Sequence, residues 1–343
     1  MLDCLIVGGG LAGCNLSYQL ARMGKSLMMI DLEGPNTSSL VAGGIYNPIL
    51  PKHQKTAYNA HLIYPGITDY YSEAEVFLNA GFLKQQPIRY ILQSQAELND
   101  WSSRAADQPF GGWVEVNHTP LEHFISPHGY ITIRHSGWVQ SALFIAATKQ
   151  YLKTQNALKE EPFIYSELSF LNNHVQYRDI KARHVIFCEG NGVVNNPFIK
   201  PKILNPAKGE ILLVKTPIDV DYIPQQGVFM LPQGNGCFRI GSTFTWDPLD
   251  NVPTEQGKAE ILHKWSFFYK GEYEVLDHVA GVRPASNDRR PVMGKVTPHN
   301  NCFVFNGLGA KGVALSPYYG KLLLDHVFNQ TPLDREIDIA RLK

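Results

Sequence analysis

The alternation of apolar and polar positions predicts a strand, a helix and a second strand in the first thirty-one residues. A short apolar run at residues 5–7 has the length of a buried strand. Leu16, Leu20 and Met23 then recur at helical spacing, and a second apolar run follows at residues 27–30. The order strand, helix, strand is that of a βαβ unit.

The same reading predicts further elements along the chain. Helical spacing predicts helices over residues 56–78, 95–106, 137–152 and 254–268. Pro65-Gly66 must kink or split the first of these, and Thr254 is the N-cap of the last. Strands are predicted at residues 83–93, at 182–192 and repeatedly within 209–282, with loops and short strands at 110–135. Residues 34–48 show no period and are predicted to form a loop.

The turn between the first strand and helix carries the pattern Gly8-x-Gly10-x-x-Gly13. Gly8 permits a tight turn, Gly10 permits close approach of a pyrophosphate, and Gly13 permits close packing of the helix on the strand. Asp31 ends the second strand, where an acid accepts hydrogen bonds from ribose hydroxyls. The pattern predicts an adenine-dinucleotide site; an ordinary glycine-rich turn is the alternative.

The composition argues against nucleic acid and anionic membranes as binding partners. The 343 residues suffice for two domains, and 31 basic and 31 acidic residues give no net charge that would attract nucleic acid or anionic membrane. The five cysteines are scattered and never form CxxC, which favours a reducing compartment. The glycine-interrupted N-terminal run is neither a signal peptide nor a membrane span, so we expect a soluble cytoplasmic protein without transmembrane segments.

Four histidines between residues 118 and 135 raise the question of a metal site. His118, His123, His128 and His135 have irregular spacing and form no pair such as HxxxH. We therefore expect no metal.

Three further stretches are informative together with the glycine turn. They are SSLVAGG at residues 38–44, GVRPASNDRRPVMG at 281–294 and FVFNGLGAKGVALSP at 303–317. With the N-terminal unit they resemble the D-amino-acid oxidase and glycine oxidase family of FAD-dependent enzymes. The turn GLGAKG and the stretch SSLVAGGIYNP are most similar to the oxidase half of a bacterial bifunctional tRNA wobble-uridine modification enzyme, whose methyltransferase half has no counterpart here.

The resemblance implies a fold of mixed α/β and α+β class. A Rossmann-type FAD-binding domain is expected at residues 1–80, 136–205 and 285–343, with an inserted, mostly antiparallel-sheet substrate domain at 81–135 and 206–284. FAD is expected to be non-covalent. The implied cofactor-binding residues are Gly8, Gly10, Leu11, Ala12, Gly13, Asp31, Leu32, Ser38, Ser39, Ala42, Gly43, Gly44, Gly190, Gly307, Gly309, Ala310, Lys311, Gly312 and Val313. Glu189 departs from the family, which has alanine before that glycine.

The resemblance also implies residues near the chemistry. Arg283 is the candidate that binds a substrate carboxylate, because guanidinium forms two parallel hydrogen bonds with that group; a structural salt bridge is the alternative. Arg239, with Phe229 and Met230, is expected to roof the flavin where sarcosine oxidases carry a lysine. Lys311 precedes the last glycine of GLGAKG, and Tyr46 is a candidate for the pocket wall.

The implied function is oxidation of a C–N bond in a small amino acid or secondary amine by hydride transfer to flavin. The electron acceptor is left open, dioxygen being one choice. Two alternatives remain: action on a carboxymethylaminomethyl group of tRNA, which the near-zero charge counts against, and a flavin-binding subunit with little activity.

Overall fold

The computed structural model describes residues 1–32, 34, 37–199 and 202–342. The first part of the chain forms β1 (Leu2–Val7), α1 (Leu11–Arg22), β2 (Leu27–Ile30), α2 (Ser38–Val41), β3 (Ile45–Tyr46), β4 (Ile49–Leu50), β5 (Lys55–Thr56), α3 (Ala60–Ile63) and α4 (Ile67–Leu78). The middle part forms β6 (Leu83–Lys84), β7 (Ile88–Ile91), α5 (Gln95–Arg104), β8 (Val114–Asn117), β9 (Tyr130–Ile133), β10 (Gly137–Val139), α6 (Ser141–Thr154), β11 (Leu158–Lys159), β12 (Leu168–Phe170), β13 (Val175–Tyr177) and β14 (Ile180–Phe187). The last part forms β15 (Ala207–Lys215), β16 (Ile223–Gln226), β17 (Val228–Gly234), β18 (Cys237–Gly241), α7 (Glu255–Trp265), β19 (Glu274–Arg283), β20 (Val292–Lys295), β21 (Cys302–Asn306) and α8 (Gly312–Asn329).

One large sheet contains the predicted βαβ unit. Its order is β11-β2-β1-β14-β13-β12, with β21 beside β14 and β20 beside β21. β1 pairs in parallel with β2 and β14, so that Val7 lies opposite both Ile30 and Phe187. The carboxyl ends of these three strands therefore meet at one edge, where ligands of such folds bind.

The second large sheet has the order β19-β15-β18-β17-β16-β7-β9-β8. Its neighbours are antiparallel apart from the parallel pair β16 and β7. The two sheets confirm the predicted fold class, a Rossmann-type α/β part with a mostly antiparallel part. The residue boundaries of the two domains stay a prediction.

Helices cover one face of the first sheet. Apolar residues of α1, α6 and α8 lie in one core with Ile6, Met29 and Phe305 of the strands beneath them. Their packing holds the first residues of α1 and α8 against the edge described above. Within the described residues, no helix is long and apolar enough to cross a membrane.

Several predicted elements are confirmed. α1, α5 and α7 lie within the segments predicted as helices, and Thr254 caps α7 by accepting a hydrogen bond from the Gly257 amide. The helix predicted over residues 56–78 is divided by a 3₁₀ turn at Tyr64–Gly66, in agreement with the proline and glycine there.

Three predicted elements need correction. Residues 34–48 are not simply a loop: they include α2 and β3, while Pro35 and Asn36 lie outside the described residues. Residues 137–139 form β10 rather than the first turn of a helix, because Gly137 and Trp138 pair with β3 and β6. The strand predicted at 83–93 is two short strands, β6 and β7. Long-range contacts decide each case, because α2 packs against β19 and the strands pair with distant partners, and local spacing does not report them.

Candidate active site

A cleft of about 860 Å³ lies where β1, β2 and β14 end and runs toward the second sheet. It is lined by seventeen of the nineteen predicted cofactor-binding residues: Gly8, Gly10, Leu11, Ala12, Asp31, Leu32, Ser38, Ser39, Ala42, Gly43, Gly44, Gly190, Gly309, Ala310, Lys311, Gly312 and Val313. Gly13 and Gly307 do not line it. The folded chain thus brings together segments that are separated by about three hundred residues.

The glycine turn after β1 has the tight geometry that its sequence predicts. Gly8 has a φ of +100°, and a Cβ there would lie 2.5 Å from the Cys188 carbonyl oxygen. A Cβ on Gly13 would lie 1.9 Å from the Gly8 carbonyl oxygen, so Gly13 serves the packing of α1 on the turn. Gly10 is the N-cap of α1 and has no side chain that would occupy the end of the helix.

Asp31 is fixed by two contacts. Its Oδ1 accepts a hydrogen bond of 2.7 Å from the Gly9 amide, and its Oδ2 lies 2.7 Å from Lys149 Nζ. Lys149 comes from α6, is buried and lines the cleft. Lys149 was not among the site residues predicted from the sequence, although it stands four residues after Ile145 on the apolar face of a predicted helix. A lysine at such a position indicates a buried acidic partner.

The Ser38–Gly44 segment is held against α1, β10 and the second sheet. Ser39 Oγ accepts a 3.1 Å hydrogen bond from the Leu11 amide at the start of α1. Gly44 has a φ of +69°, and a Cβ there would lie 1.9 Å from the Val139 carbonyl oxygen. A Cβ on Gly43 would lie 3.1 Å from the Phe229 ring of the second sheet. These close approaches explain why the segment carries paired glycines.

Arg239 lies behind this segment and does not line the cleft. Its Nη1 donates a 3.1 Å hydrogen bond to the Ala42 carbonyl, and its Nη2 donates to the Val41 carbonyl. Burial lowers the pKa of the guanidinium below its usual range. Phe229 lines the cleft as expected, whereas Met230 is in the core on the opposite face of the sheet. A direct contact between Arg239 and flavin therefore stays a prediction, because the Arg239 side chain does not line the cleft.

Glu189, the departure from the family pattern, lines the cleft but is bound on the protein side. Tyr165 Oη donates to its Oε1, and Asn196 Nδ2 donates to its Oε2 at 2.7 Å. Burial raises the pKa of this carboxyl, and the two hydrogen bonds offset part of that effect. The neighbouring Gly190 has a φ of +53° and its carbonyl oxygen accepts from Asn306 Nδ2 at 2.9 Å. The turn keeps its glycine geometry despite the carboxylate.

Arg283 ends β19 and lines the cleft. Its Nη2 donates to Ser242 Oγ at 2.7 Å and to the Thr243 carbonyl at 3.1 Å, and its Nη1 donates to the Lys208 carbonyl at 3.2 Å. Gly209 makes room for it, because a Cβ there would lie 1.8 Å from Nη2. Among the described residues, no ion pair joins Arg283 to a carboxylate, and burial lowers the pKa of its guanidinium to about 10.

The start of α8 forms a further part of the cleft wall, next to Pro284 and Ala285. Lys311 lines it, with its pKa lowered by burial and by the nearby charge of Arg289. α8 begins at Gly312 with no side-chain cap and no acidic residue in its first turn. Tyr46 does not line the cleft: it is buried against Gly137, and burial raises the pKa of its hydroxyl.

The lining fits the FAD that the sequence resemblance implies. The amino ends of α1 and α8 both face the cleft, and a helix amino end favours an anion through its unpaired amides and its dipole. The Gly8–Gly10 turn presents backbone without side chains, and Asp31 supplies the acid at the end of β2. In the described part of the chain, no cluster of three metal-ligating side chains is present.

Comparison with protein families gives one match that spans most of the chain. A family model described as FAD dependent oxidoreductase, DAO, matches residues 3–326. A glycine oxidase of Pseudomonas putida is 23% identical, with 96% of this chain and 95% of that protein covered. The tRNA 5-methylaminomethyl-2-thiouridine biosynthesis bifunctional protein MnmC of Legionella pneumophila is 24% identical over 84% of this chain, which spans 45% of that protein.

Solved structures share the fold over nearly the whole chain. Iminodiacetate oxidase from Chelativorans sp. BNC1 superimposes with a TM-score of 0.79 at 21% identity and covers 98% of each chain. Glycine oxidase from Geobacillus kaustophilus gives a TM-score of 0.80 at 18% identity, covering 100% of this chain and 98% of that one. At these identities the likeness concerns the fold.

Proposed function

Because the chain belongs to the DAO family of FAD-dependent oxidoreductases, we propose that it oxidises the C–N bond of a small amino acid or secondary amine that carries a carboxylate. The single observation that supports this substrate class is Arg283, a half-buried cation on the cleft wall with only neutral hydrogen-bond partners among the described residues. The reaction is hydride transfer to flavin. The electron acceptor, dioxygen or another, is part of the proposal still to be tested.

Electrostatics favours a carboxylate as the missing partner of Arg283. A buried charge is costly unless an opposite charge compensates it. The guanidinium remains protonated at neutral pH, because burial lowers its pKa only to about 10. Guanidinium binds a carboxylate through two parallel hydrogen bonds, which fix the orientation of the α carbon as well as the charge.

Different parts of the cleft wall have different roles in the proposed reaction. A bound FAD would supply the hydride acceptor for a substrate whose amine becomes an imine. Arg283 holds the carboxylate, and the apolar side chains of Phe229 and Ile211 exclude water from the same part of the cleft. The amino end of α8 and Lys311 provide positive potential on the part of the wall next to the segment that follows Arg283.

A second candidate is action on a modified uridine of tRNA. It is supported by the match to MnmC over 84% of this chain and by the position of Lys311 in the cleft wall. The zero net charge speaks against a nucleic-acid partner. We also infer a cytoplasmic location, since no disulfide joins the five cysteines in the described residues.

Anaerobic bleaching of the flavin tests the reaction directly. Glycine, sarcosine, D-alanine and bulk tRNA are each mixed with the enzyme, and the loss of the oxidised flavin spectrum is followed. Bleaching by a carboxylate-bearing amine supports the first candidate, and bleaching by tRNA alone supports the second. A flavin that neither bulk tRNA nor any of a broad panel of amines reduces would contradict both.

Arg283→Met tests the residue on which the substrate class depends. Loss of a charge-assisted pair worth about 1.5–3 kcal/mol weakens binding of substrate and of carboxylate inhibitors by about ten- to over a hundredfold. Lysine restores only part, because it keeps the charge and loses the paired hydrogen bonds. Arg104 of α5 is exposed. Arg104→Met is the matched control and should leave inhibitor binding unchanged.

Two outcomes of the Arg283 series distinguish recognition from structure. If Arg283 binds the carboxylate, wild-type inhibitor affinity is constant from pH 6 to 8, where the guanidinium stays charged. If Arg283→Met instead loses flavin or thermal stability while each folded site binds inhibitor normally, its hydrogen bonds to Lys208, Ser242 and Thr243 are its role, and the substrate class loses its support.

A further inference from the structure

The segment between β18 and α7, residues 244–252, forms an arm at the rim of the cleft. Thr245 pairs with Lys208 of β15 through two backbone hydrogen bonds of 2.8 and 3.1 Å. Lys208 is fully buried, and its Nζ extends to Asp250 Oδ1 at 2.6 Å and to the Val252 carbonyl. Lys208 therefore binds both ends of the arm, with its backbone at Thr245 and its side chain at Asp250 and Val252.

The same lysine joins the arm to Arg283. The Lys208 carbonyl accepts a hydrogen bond from Arg283 Nη1, and the ring of Phe244 lies 5.3 Å from the Arg283 guanidinium carbon. The arm and the carboxylate-binding candidate thus share their support.

The arm is unusually apolar for an exposed segment. Phe244, Trp246, Leu249 and Val252 are all exposed. Exposed apolar side chains clustered beside a cleft mark a surface that a ligand covers. Leu249 is the member that matters most, because it lines the cleft itself together with Ile211 and Phe229.

The acid of the arm that faces the cleft is paired. Asp250 lines the cleft and forms an ion pair with Lys208, whereas Asp247, the other acid of the arm, does not line it. The arm therefore presents Leu249 and the neutral Asn251 to the cleft beside a compensated carboxylate. Arg289 lies 5.8 Å from the Phe244 ring and does not line the cleft.

We propose that the arm is a substrate-recognition element: Leu249 covers an apolar group at the end of the substrate remote from the carboxylate, and Lys208 positions the arm. This rests on the proposed function and makes it specific. The preferred substrate is an amino acid or N-substituted glycine with a bulky, uncharged distal group, rather than glycine itself.

Inhibitor binding to the FAD-loaded enzyme tests the proposal without turnover. Acetate, hexanoate, 3-phenylpropanoate and succinate are titrated calorimetrically. Hexanoate and 3-phenylpropanoate should bind more tightly than acetate. Leu249→Ala should reduce that preference by about three- to tenfold, because much of the apolar contact with a half-exposed leucine is lost.

A matched leucine supplies the control. Leu276 on β19 is 47% exposed against 46% for Leu249, and it does not line the cleft. Leu276→Ala should leave the preference unchanged. Asp250→Ala removes the exposed partner of Lys208 and keeps the buried lysine itself. It should also lower the preference for hexanoate and 3-phenylpropanoate over acetate.

The outcomes separate this proposal from the proposed function. Equal affinity for acetate and the longer acids, tighter binding of succinate than hexanoate, or equal effects of the two leucine variants would overturn the recognition role of the arm. If the preference exists and depends on Leu249, but no amine bleaches the flavin, the arm recognises ligands and the oxidation chemistry is what fails.

Discussion

Arg283 and Arg239 are both arginines in strands of the second sheet, yet their guanidinium groups have different surroundings. Arg239 donates to two backbone carbonyls of the Ser38–Gly44 segment and lies behind the cleft. Arg283 also donates to neutral acceptors, but it lines the cleft. A sequence can indicate that an arginine in an apolar strand needs partners. It cannot tell whether those partners are backbone carbonyls or a ligand.

The same limit applies to the acids of the site. Asp31 was predictable because its distance from the glycine turn is characteristic. That Lys149 is its partner was not predictable, since the contact joins residues that are 118 positions apart. Glu189 differs from the family pattern in sequence, but only the structure shows that Tyr165 and Asn196 bind both of its oxygens.

Glu189 gives a prediction about stability and pH. Burial raises the pKa of this carboxyl in the folded state, so folding favours its protonated form. Its favourable contribution is present at low pH and is lost as the pH rises through the folded-state pKa. Glu189→Gln, which is neutral throughout, should therefore gain thermal stability relative to the wild type between pH 5 and pH 8. Melting temperatures at four pH values measure this; a difference that does not change with pH contradicts it.

A helix or strand is predicted more reliably from the sequence when it is specified by neighbouring residues than when it depends on distant contacts. α5 and α7 have the periodicity and caps that specify a helix, and both lie where predicted. β10 and α2 have no such local signal, because β10 exists through pairing with β3 and β6, and α2 packs against Gly281 of β19. Of these two elements α2 lines the cleft, which is why this part of the wall was harder to predict than the glycine turn.

Arg239 connects two of these elements, and its replacement is informative. Arg239→Met removes the hydrogen bonds to the carbonyls of Val41 and Ala42, each from a charged donor worth about 1.5–3 kcal/mol. The Ser38–Gly44 segment then loosens, and we expect at least tenfold weaker FAD binding, with flavin reduction and reoxidation affected alike once FAD is saturating. Stopped-flow measurement of the two half-reactions checks this.

Arg89→Met is the control for that experiment. Arg89 is also a strand arginine of the second sheet, but it lies between Tyr130 and Tyr222 and does not line the cleft. FAD affinity should be unchanged in this variant. If Arg239→Met slows only reoxidation and leaves FAD affinity intact, Arg239 acts on the flavin as the sequence resemblance implies, and its role in holding the segment is minor.

At the scale of the whole molecule, the cleft exists only when distant parts of the chain are folded together. Residues of the β1 turn, the Ser38–Gly44 segment, the turn after β14 and the start of α8 all line it. The sequence resemblance could predict which segments take part, because each has its own motif. The order of strands that brings them together, β2-β1-β14 with β21 beside β14, is a property of the complete fold.

This arrangement predicts that FAD stabilises the entire chain and is released intact by denaturation. A ligand that binds only the folded state adds about 2.7 kcal/mol of stability at a free concentration a hundred times its Kd. Adding FAD to the apoprotein should therefore raise the melting temperature by several degrees, whereas NAD at the same concentration should not. Covalent attachment is not expected, because Cys188, the cysteine that lines the cleft, is buried and its pKa is raised, which keeps it a thiol rather than a reactive thiolate. Acid precipitation should give a yellow supernatant and a colourless pellet. A yellow pellet would show covalent flavin, and equal stabilisation by NAD would remove the assignment of the cleft to FAD.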